Sequence, residues 1–150
     1  MVQRLATIDE GTRGVRVLLA SANPRVRAWA QDRLPAHVTV CAFADDSSLV
    51  AGLARTERAD VCLLDLRLPG DPLAALTALV KAAPAVRIVA WAASDDDVRL
   101  VEAVDAGAGG CILGEPDRDA LARVLADVIA GQSALPRVVV ARLVAQLRLD

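Results

Sequence analysis

Ten residues, Val61-Cys62-Leu63-Leu64-Asp65-Leu66-Arg67-Leu68-Pro69-Gly70, constrain the fold of this chain more than any other stretch. Val61 to Leu64 form an apolar run too short for a helix and without polar alternation. They read as a strand buried on both faces, as at the centre of a parallel sheet. Pro69-Gly70 turns the chain, and Asp71-Pro72 starts a helix behind the turn. Asp65 therefore stands at the carboxyl end of a central strand, where open α/β sheets place their ligand crevice. What a carboxylate there can do depends on the groups that the rest of the chain sets around it.

The same strand-then-helix unit recurs on both sides. Val15 to Ala20 is a first strand, and Asn23-Pro24 caps and opens a helix to about Leu34, with Val26, Trp29, Ala30 and Leu34 near one face. Val38 to Phe43 is a second strand, and Asp45, Asp46 and Ser47 offer caps to a helix carrying Leu49, Val50 and Leu53. After the Asp65 strand, a helix from Pro72 to about Ala83 stops at Pro84, and Val86 to Ala92 is a fourth strand. Ser94 with Asp97 reads as a capping box in its acidic form, opening a helix with Val98, Val101 and Val104 that Gly107 closes. Gly110 to Leu113 is a short fifth strand, and Pro116 to Ile129 an amphipathic helix ended by Gly131. Five βα units with short loops imply a parallel sheet covered by helices on both faces. Beyond them, Val139, Val140, Leu143, Val144 and Leu147 recur at helical spacing within Pro136 to Asp150. The expected organisation is a flexible leader over 1–14, one domain over 15–131, and a linker or dimerisation helix over 132–150.

Several classes of function are disfavoured. A net charge of −2 gives no electrostatic footprint for nucleic acid or an anionic membrane. No apolar run approaches the roughly 20 residues of a membrane span and no signal peptide opens the chain, so a cytoplasmic location is expected. Cys41, Cys62 and Cys111 each lie in an apolar segment, far apart and without C-x-x-C spacing, and read as buried free thiols. With His37 as the single histidine, a metal site is not expected, and His37 itself reads as a loop residue. The acidic runs at Asp45-Asp46 and Asp95 to Asp97 are explained by capping of helix N-termini. Ser21 has no base nearby to make it a nucleophile.

Four segments then carry a resemblance: Val15–Arg27, Ala59–Gly70, Val86–Asp97 and Ala106–Leu113, each falling on a strand-to-loop junction. Over about residues 15–131 the chain resembles a response-regulator receiver domain, in particular of the NarL/FixJ (LuxR-type) subfamily. The resemblance implies a flavodoxin-like (βα)5 fold, a doubly wound parallel sheet with strand order 2-1-3-4-5, here with an extra C-terminal helix. It implies a regulatory rather than an enzymatic role. In that family the aspartate ending the third strand is phosphorylated, and the matching residue is Asp65. Two acidic residues after the first strand help to hold Mg2+; Ser21 and Ala22 stand at those positions. A Ser or Thr ending the fourth strand and a Lys after the fifth hold the phosphoryl group; Ala92 and Gly114 stand there. The aromatic switch position in the fifth strand is Cys111.

These departures act together. Mg2+ demands near-octahedral oxygen ligation, usually with one or two carboxylates plus phosphate oxygens. A phosphoryl group adds roughly −1.5 to −2 charge, which Gly114 and Ala92 offer no ammonium or hydroxyl to receive. Phosphoryl transfer relies on positioning and charge neutralisation, so Asp65 is expected to be a remnant carboxylate, solvated or bonded to nearby backbone amides, and Mg2+ is not expected. Trp91, at the crevice end of its strand, reads either as filling the space left by the missing lysine and hydroxyl or as lining a site.

The expected function is a phosphorylation-independent receiver module of an atypical response regulator, acting in transcriptional control by association, as a homodimer. The pairing face would be Val140, Leu143, Val144 and Leu147 of the last helix, or the first and fifth helices. DNA would be reached only through a C-terminal helix-turn-helix domain that this chain does not contain. Two alternatives stay open. One is a module sensing a small molecule in an altered pocket formed by Ser21, Ala22, Asp65, Trp91, Ala92 and Gly114; the other is a conventional phosphoacceptor at Asp65.

Overall fold

A computed structural model of the chain describes residues 14–95 and 97–149. The leader expected over 1–14 lies outside the described residues, Gly14 excepted. Five strands alternate with helices: β1 (Val15–Ala20), α1 (Pro24–Arg33), β2 (Val38–Ala44), α2 (Val50–Thr56), β3 (Val61–Asp65), α3 (Pro72–Ala82), β4 (Arg87–Ala92), α4 (Arg99–Ala106), β5 (Gly110–Leu113) and α5 (Arg118–Ile129). A further helix, α6, spans Arg137–Leu149. The strands are all parallel, in the order β2-β1-β3-β4-β5. This is the flavodoxin-like receiver fold with an added C-terminal helix that the βα repeat and the resemblance imply.

Strand alternation sorts the core into two layers. Val17 and Leu19 of β1, Val61 and Leu63 of β3, and Val89 and Trp91 of β4 pack with Ala30 and Leu34 at α1 and Leu121, Leu125 and Val128 of α5. The intervening residues Leu18, Ala20, Cys62, Leu64, Ile88, Ala90 and Ala92 pack with Val50 and Ala54 of α2, Leu76 and Leu79 of α3, and Leu100 and Ala103 of α4. Every residue of β3 is buried, as its uninterrupted apolar sequence requires for a strand covered on both faces.

The helix starts follow local chemistry. Asn23, Asp71 and Asp117 each accept a backbone N–H from the first turn of α1, α3 and α5. Asp46 caps a short 3-10 turn, Ser47–Leu49, that leads into α2. The fourth helix departs from expectation. It begins at Arg99 rather than behind Ser94, and Val98, at its N-cap, makes no side-chain capping bond. The Asp97 carboxylate, needed for the expected capping box, is committed instead to the backbone N–H and the guanidinium of Arg99.

After α5 the chain runs along the free edge of β5. Ala134 bridges Gly110 in parallel register, its N–H donating to Gly109 and its carbonyl accepting from Cys111, at 3.0 Å each. Covering an edge strand in this way satisfies backbone groups that would otherwise be open to pairing with another chain. Gly110 makes the approach feasible: a Cβ there would lie 2.9 Å from Val128 Cγ2 and 3.3 Å from Ala134 Cβ. From this edge α6 folds back against α4, burying Val139 completely.

Candidate functional site

The sheet register assembles the centre of the site. In the β1–β3 ladder Leu19 faces Leu63 and Ala20 faces Leu64. One further step sets Ser21 against Asp65. In the β3–β4 ladder Asp65 faces Trp91. A backbone bond from Ser21 N–H to Ala44 O, 2.9 Å, pins the end of β1.

Asp65 is 2% exposed and Ser21 fully buried. Asp65 Oδ2 accepts the Ser21 hydroxyl at 2.8 Å. Oδ1 accepts the backbone N–H of Arg67 at 2.9 Å and its Nε at 2.8 Å. Ser21 Oγ in turn accepts the backbone N–H of Asn23 at 3.2 Å, which fixes the direction of its own donation. Both oxygens of Asp65 are thus engaged. Of the two arrangements expected for this carboxylate, solvated or bonded to nearby backbone amides, the structure shows the second, and the half-exposed Arg67, two residues on, also folds back to form an ion pair with it. A buried charge held without such partners would be costly, and the local turn supplies them.

Trp91 lies beside this pair, 1% exposed. Its Nε1–H donates to Gly114 O at 2.7 Å, and its ring meets that of Trp29 with centroids 4.7 Å apart at 52°. Gly114 adopts a positive φ of 65°, which favours glycine. Above the rings opens a cleft of about 260 Å3 walled by Arg25, Trp29, Arg67, Trp91, Gly114 and Glu115, with Asn23, Val26 and Ala93 at its margins. Of the six residues expected to form a pocket, only Trp91 and Gly114 line this cleft. Ser21, Asp65 and Ala92 are buried and do not reach it, Ala92 lying in the core layer on the other face of the sheet from Trp91, and Ala22 is exposed.

A second guanidinium reaches the same turn from across the fold. Arg99 Nε and one terminal nitrogen hold the two oxygens of Asp97 at 3.1 and 2.8 Å, while the other terminal nitrogen donates to the carbonyl of Leu66. The hydrogen bond from Arg99 holds the Asp97 carboxyl below its ordinary range. Asp97, with added influence from the Asp65 charge, raises the Arg99 guanidinium in return. The sequence reading missed Arg99 because its partner Leu66 is 33 residues away and accepts through a backbone atom. Arg67 carried a legible signal, being a cation two residues from the buried acid.

The residues expected to form a pairing face on α6 do not share one environment. Leu143 packs against the core beside Val139, whereas Val140, Val144 and Leu147 are 43%, 40% and 75% exposed. Neighbouring apolar positions on a helix diverge by about 100°, and tertiary packing divides them. Burial pushes the Cys62 thiol up to about 12 and that of Cys111 up to about 11, while Cys41 is half-buried. Among the described residues no three His, Cys, Asp or Glu side chains are grouped so as to hold a metal ion, and no helix is long and apolar enough to cross a membrane.

Comparison with known proteins agrees with this fold. The sequence family described as "response regulator receiver domain" matches residues 17–126. The DNA-binding transcriptional activator DevR/DosR of Mycobacterium tuberculosis is 31% identical over 137 residues, covering 89% of this chain and 63% of the relative. The chain thus spans less than two thirds of that protein's length. Among solved structures, the signal receiver domain of NarL from Mycobacterium tuberculosis aligns with a TM-score of 0.73 and 27% identity, over 80% of this chain and 99% of the other. A LuxR-family two-component response regulator from Aurantimonas sp. aligns with a TM-score of 0.77 and 24% identity, over 91% and 99%.

Proposed function

This chain belongs to the response regulator receiver domain family and is related to the NarL and LuxR regulators of two-component signalling; from that premise we propose that it is a receiver whose output does not depend on phosphorylation. The observation that carries the reading is the closed state of Asp65. Attack on a phosphodonor needs an accessible carboxylate oxygen, whereas Asp65 is 2% exposed, with Oδ2 accepting the Ser21 hydroxyl and Oδ1 paired with Arg67. Mg2+ fits the site poorly. Ser21 directs its hydroxyl proton at the one carboxylate, and Ala22 offers a methyl group where the family supplies an acid. Ala92 and Gly114 add neither hydroxyl nor ammonium for a phosphoryl group. Arg67 supplies charge, but it neutralises the nucleophile rather than a transferred phosphate.

Such a module regulates by association rather than by catalysis. Residues 15–131 form the receiver and 132–150 a linker, and two copies pair through α6 or through α1 and α5. DNA is reached through a C-terminal helix-turn-helix domain of a longer protein, a reading supported by the DNA-binding description of the DevR/DosR relative. The module works in the cytoplasm. The test is incubation of the chain with acetyl phosphate and Mg2+, followed by intact mass. Unmodified protein is expected, and stoichiometric modification of Asp65 overturns the proposal.

One observation favours a second reading. The cleft over Trp29 and Trp91 is flanked by Arg25 and Arg67, so a small molecule bound there would touch the side chain that holds Asp65. A saturable change of tryptophan fluorescence with cell metabolites supports this sensing role; a flat response supports constitutive assembly.

A further inference from the structure

The linker and α6 occupy one flank of the receiver in two distinct ways. The root of α6 is fixed by the backbone: Ala134 is bonded into the edge of β5 on both sides, whatever α4 does. Among the described residues the body of α6 makes no such backbone bond to the sheet. Val139 is fully buried in the layer that holds Leu100 and Ala103 of α4, and Val138 and Leu143 pack against that layer. The placement of the α6 body therefore depends on the placement of α4.

α4 itself is a short helix of eight residues whose N-cap contributes no side-chain bond. Its start is held by its first residue. The Arg99 guanidinium grips Asp97 with two nitrogens and the Leu66 carbonyl with the third. Leu66 is the residue between Asp65 and Arg67, the ion pair at the centre of the site. Its N–H is bonded to Trp91 O at 2.8 Å, so its carbonyl is displaced only when this turn is displaced.

We infer that Arg99 is a clasp through which the turn after Asp65 controls whether α6 stays docked on α4. With the clasp closed, α6 buries Val139, half-buries Leu143 and presents Val140, Val144, Leu147 and Leu149. With the clasp open, α4 loses its N-terminal anchor, the α6 body swings about its fixed root, and Val139 and Leu143 also become available to a partner. This coupling is independent of whether Asp65 can be phosphorylated, because it needs only movement of the Leu66 carbonyl.

Hydrogen–deuterium exchange on the whole chain tests it. Charge-assisted bonds of this kind are strong enough that their loss should speed exchange over residues 140–149 by about tenfold in Arg99→Ala, with β1 and β3 unchanged. Arg99→Lys, which keeps the charge but has no fork to hold Asp97 and Leu66 together, should accelerate the same segment. Arg67→Ala, which loosens the turn without touching α4, should move it in the same direction. Unchanged exchange in α6 in these variants overturns the inference. So does acceleration spread equally over α6, β1 and β3, which would mark a general loss of stability rather than a local link.

Discussion

Ser21→Ala probes the closed state of Asp65 directly. The change removes one oxygen from a fully buried position and leaves Asp65 Oδ2 without its 2.8 Å donor. A hydrogen bond to a charged group is worth about 1.5–3 kcal/mol. Neither partner meets solvent that could replace it, so a loss of about 2 kcal/mol is expected. For a chain of this length that corresponds to a fall in Tm of about 4–8 °C. Asp65→Asn supplies the control. Asparagine keeps an acceptor for the Arg67 amide and an NH2 group to donate to Ser21 Oγ, while the buried charge disappears. In that background Ser21→Ala breaks only a neutral bond, at about 1 kcal/mol, so the pair should show a coupling of about 1 kcal/mol. Urea denaturation of the four proteins measures it. An equal cost of Ser21→Ala in both backgrounds would mean that Ser21 merely fills space, and the account of a carboxylate held by it would be wrong.

Two further outcomes follow from the charges and thiols. Asp97 has a lowered pKa in the folded chain because Arg99 bonds its charged form, so its contribution is fully present above its unfolded pKa and is lost as pH falls through the lower folded value. Asp97→Asn should therefore be less stable than the parent near neutrality and converge with it as acid protonates Asp97 in the folded chain, as read by urea midpoints across pH 2–7. At pH 8 a thiol raised to about 12, as at Cys62, is thiolate in only about one molecule in 10^4; labelling of the native chain with a thiolate-selective reagent should reach Cys41 first and Cys62 and Cys111 only on unfolding.

The sequence alone carried the fold. Apolar runs too short for helices, Asn-Pro and Asp-Pro helix starts and closing glycines are local signals, read within a few residues of the elements they specify. They led to the five βα units and to Asp65 at the end of β3; the strand order, and the match of Ser21, Ala92 and Gly114 to the positions around Asp65, came from the resemblance to receiver domains. What surrounds the carboxylate was not legible in the same way. The register of β1 on β3 aligns Ser21 with Asp65 across 44 residues, and a rotamer choice folds Arg67 back onto the acid. The failed capping box at Ser94 shows the limit from the other side: Asp97 had the right spacing for a local bond, but Arg99 offered a charged partner. On α6 the pattern predicted one apolar stripe, and docking against α4 divided it between core and solvent. Periodicity records which residues avoid water, because burial is a property of each side chain. Which partner each polar group meets is decided only when distant segments are brought together, because a hydrogen bond needs a specific atom within about 3 Å.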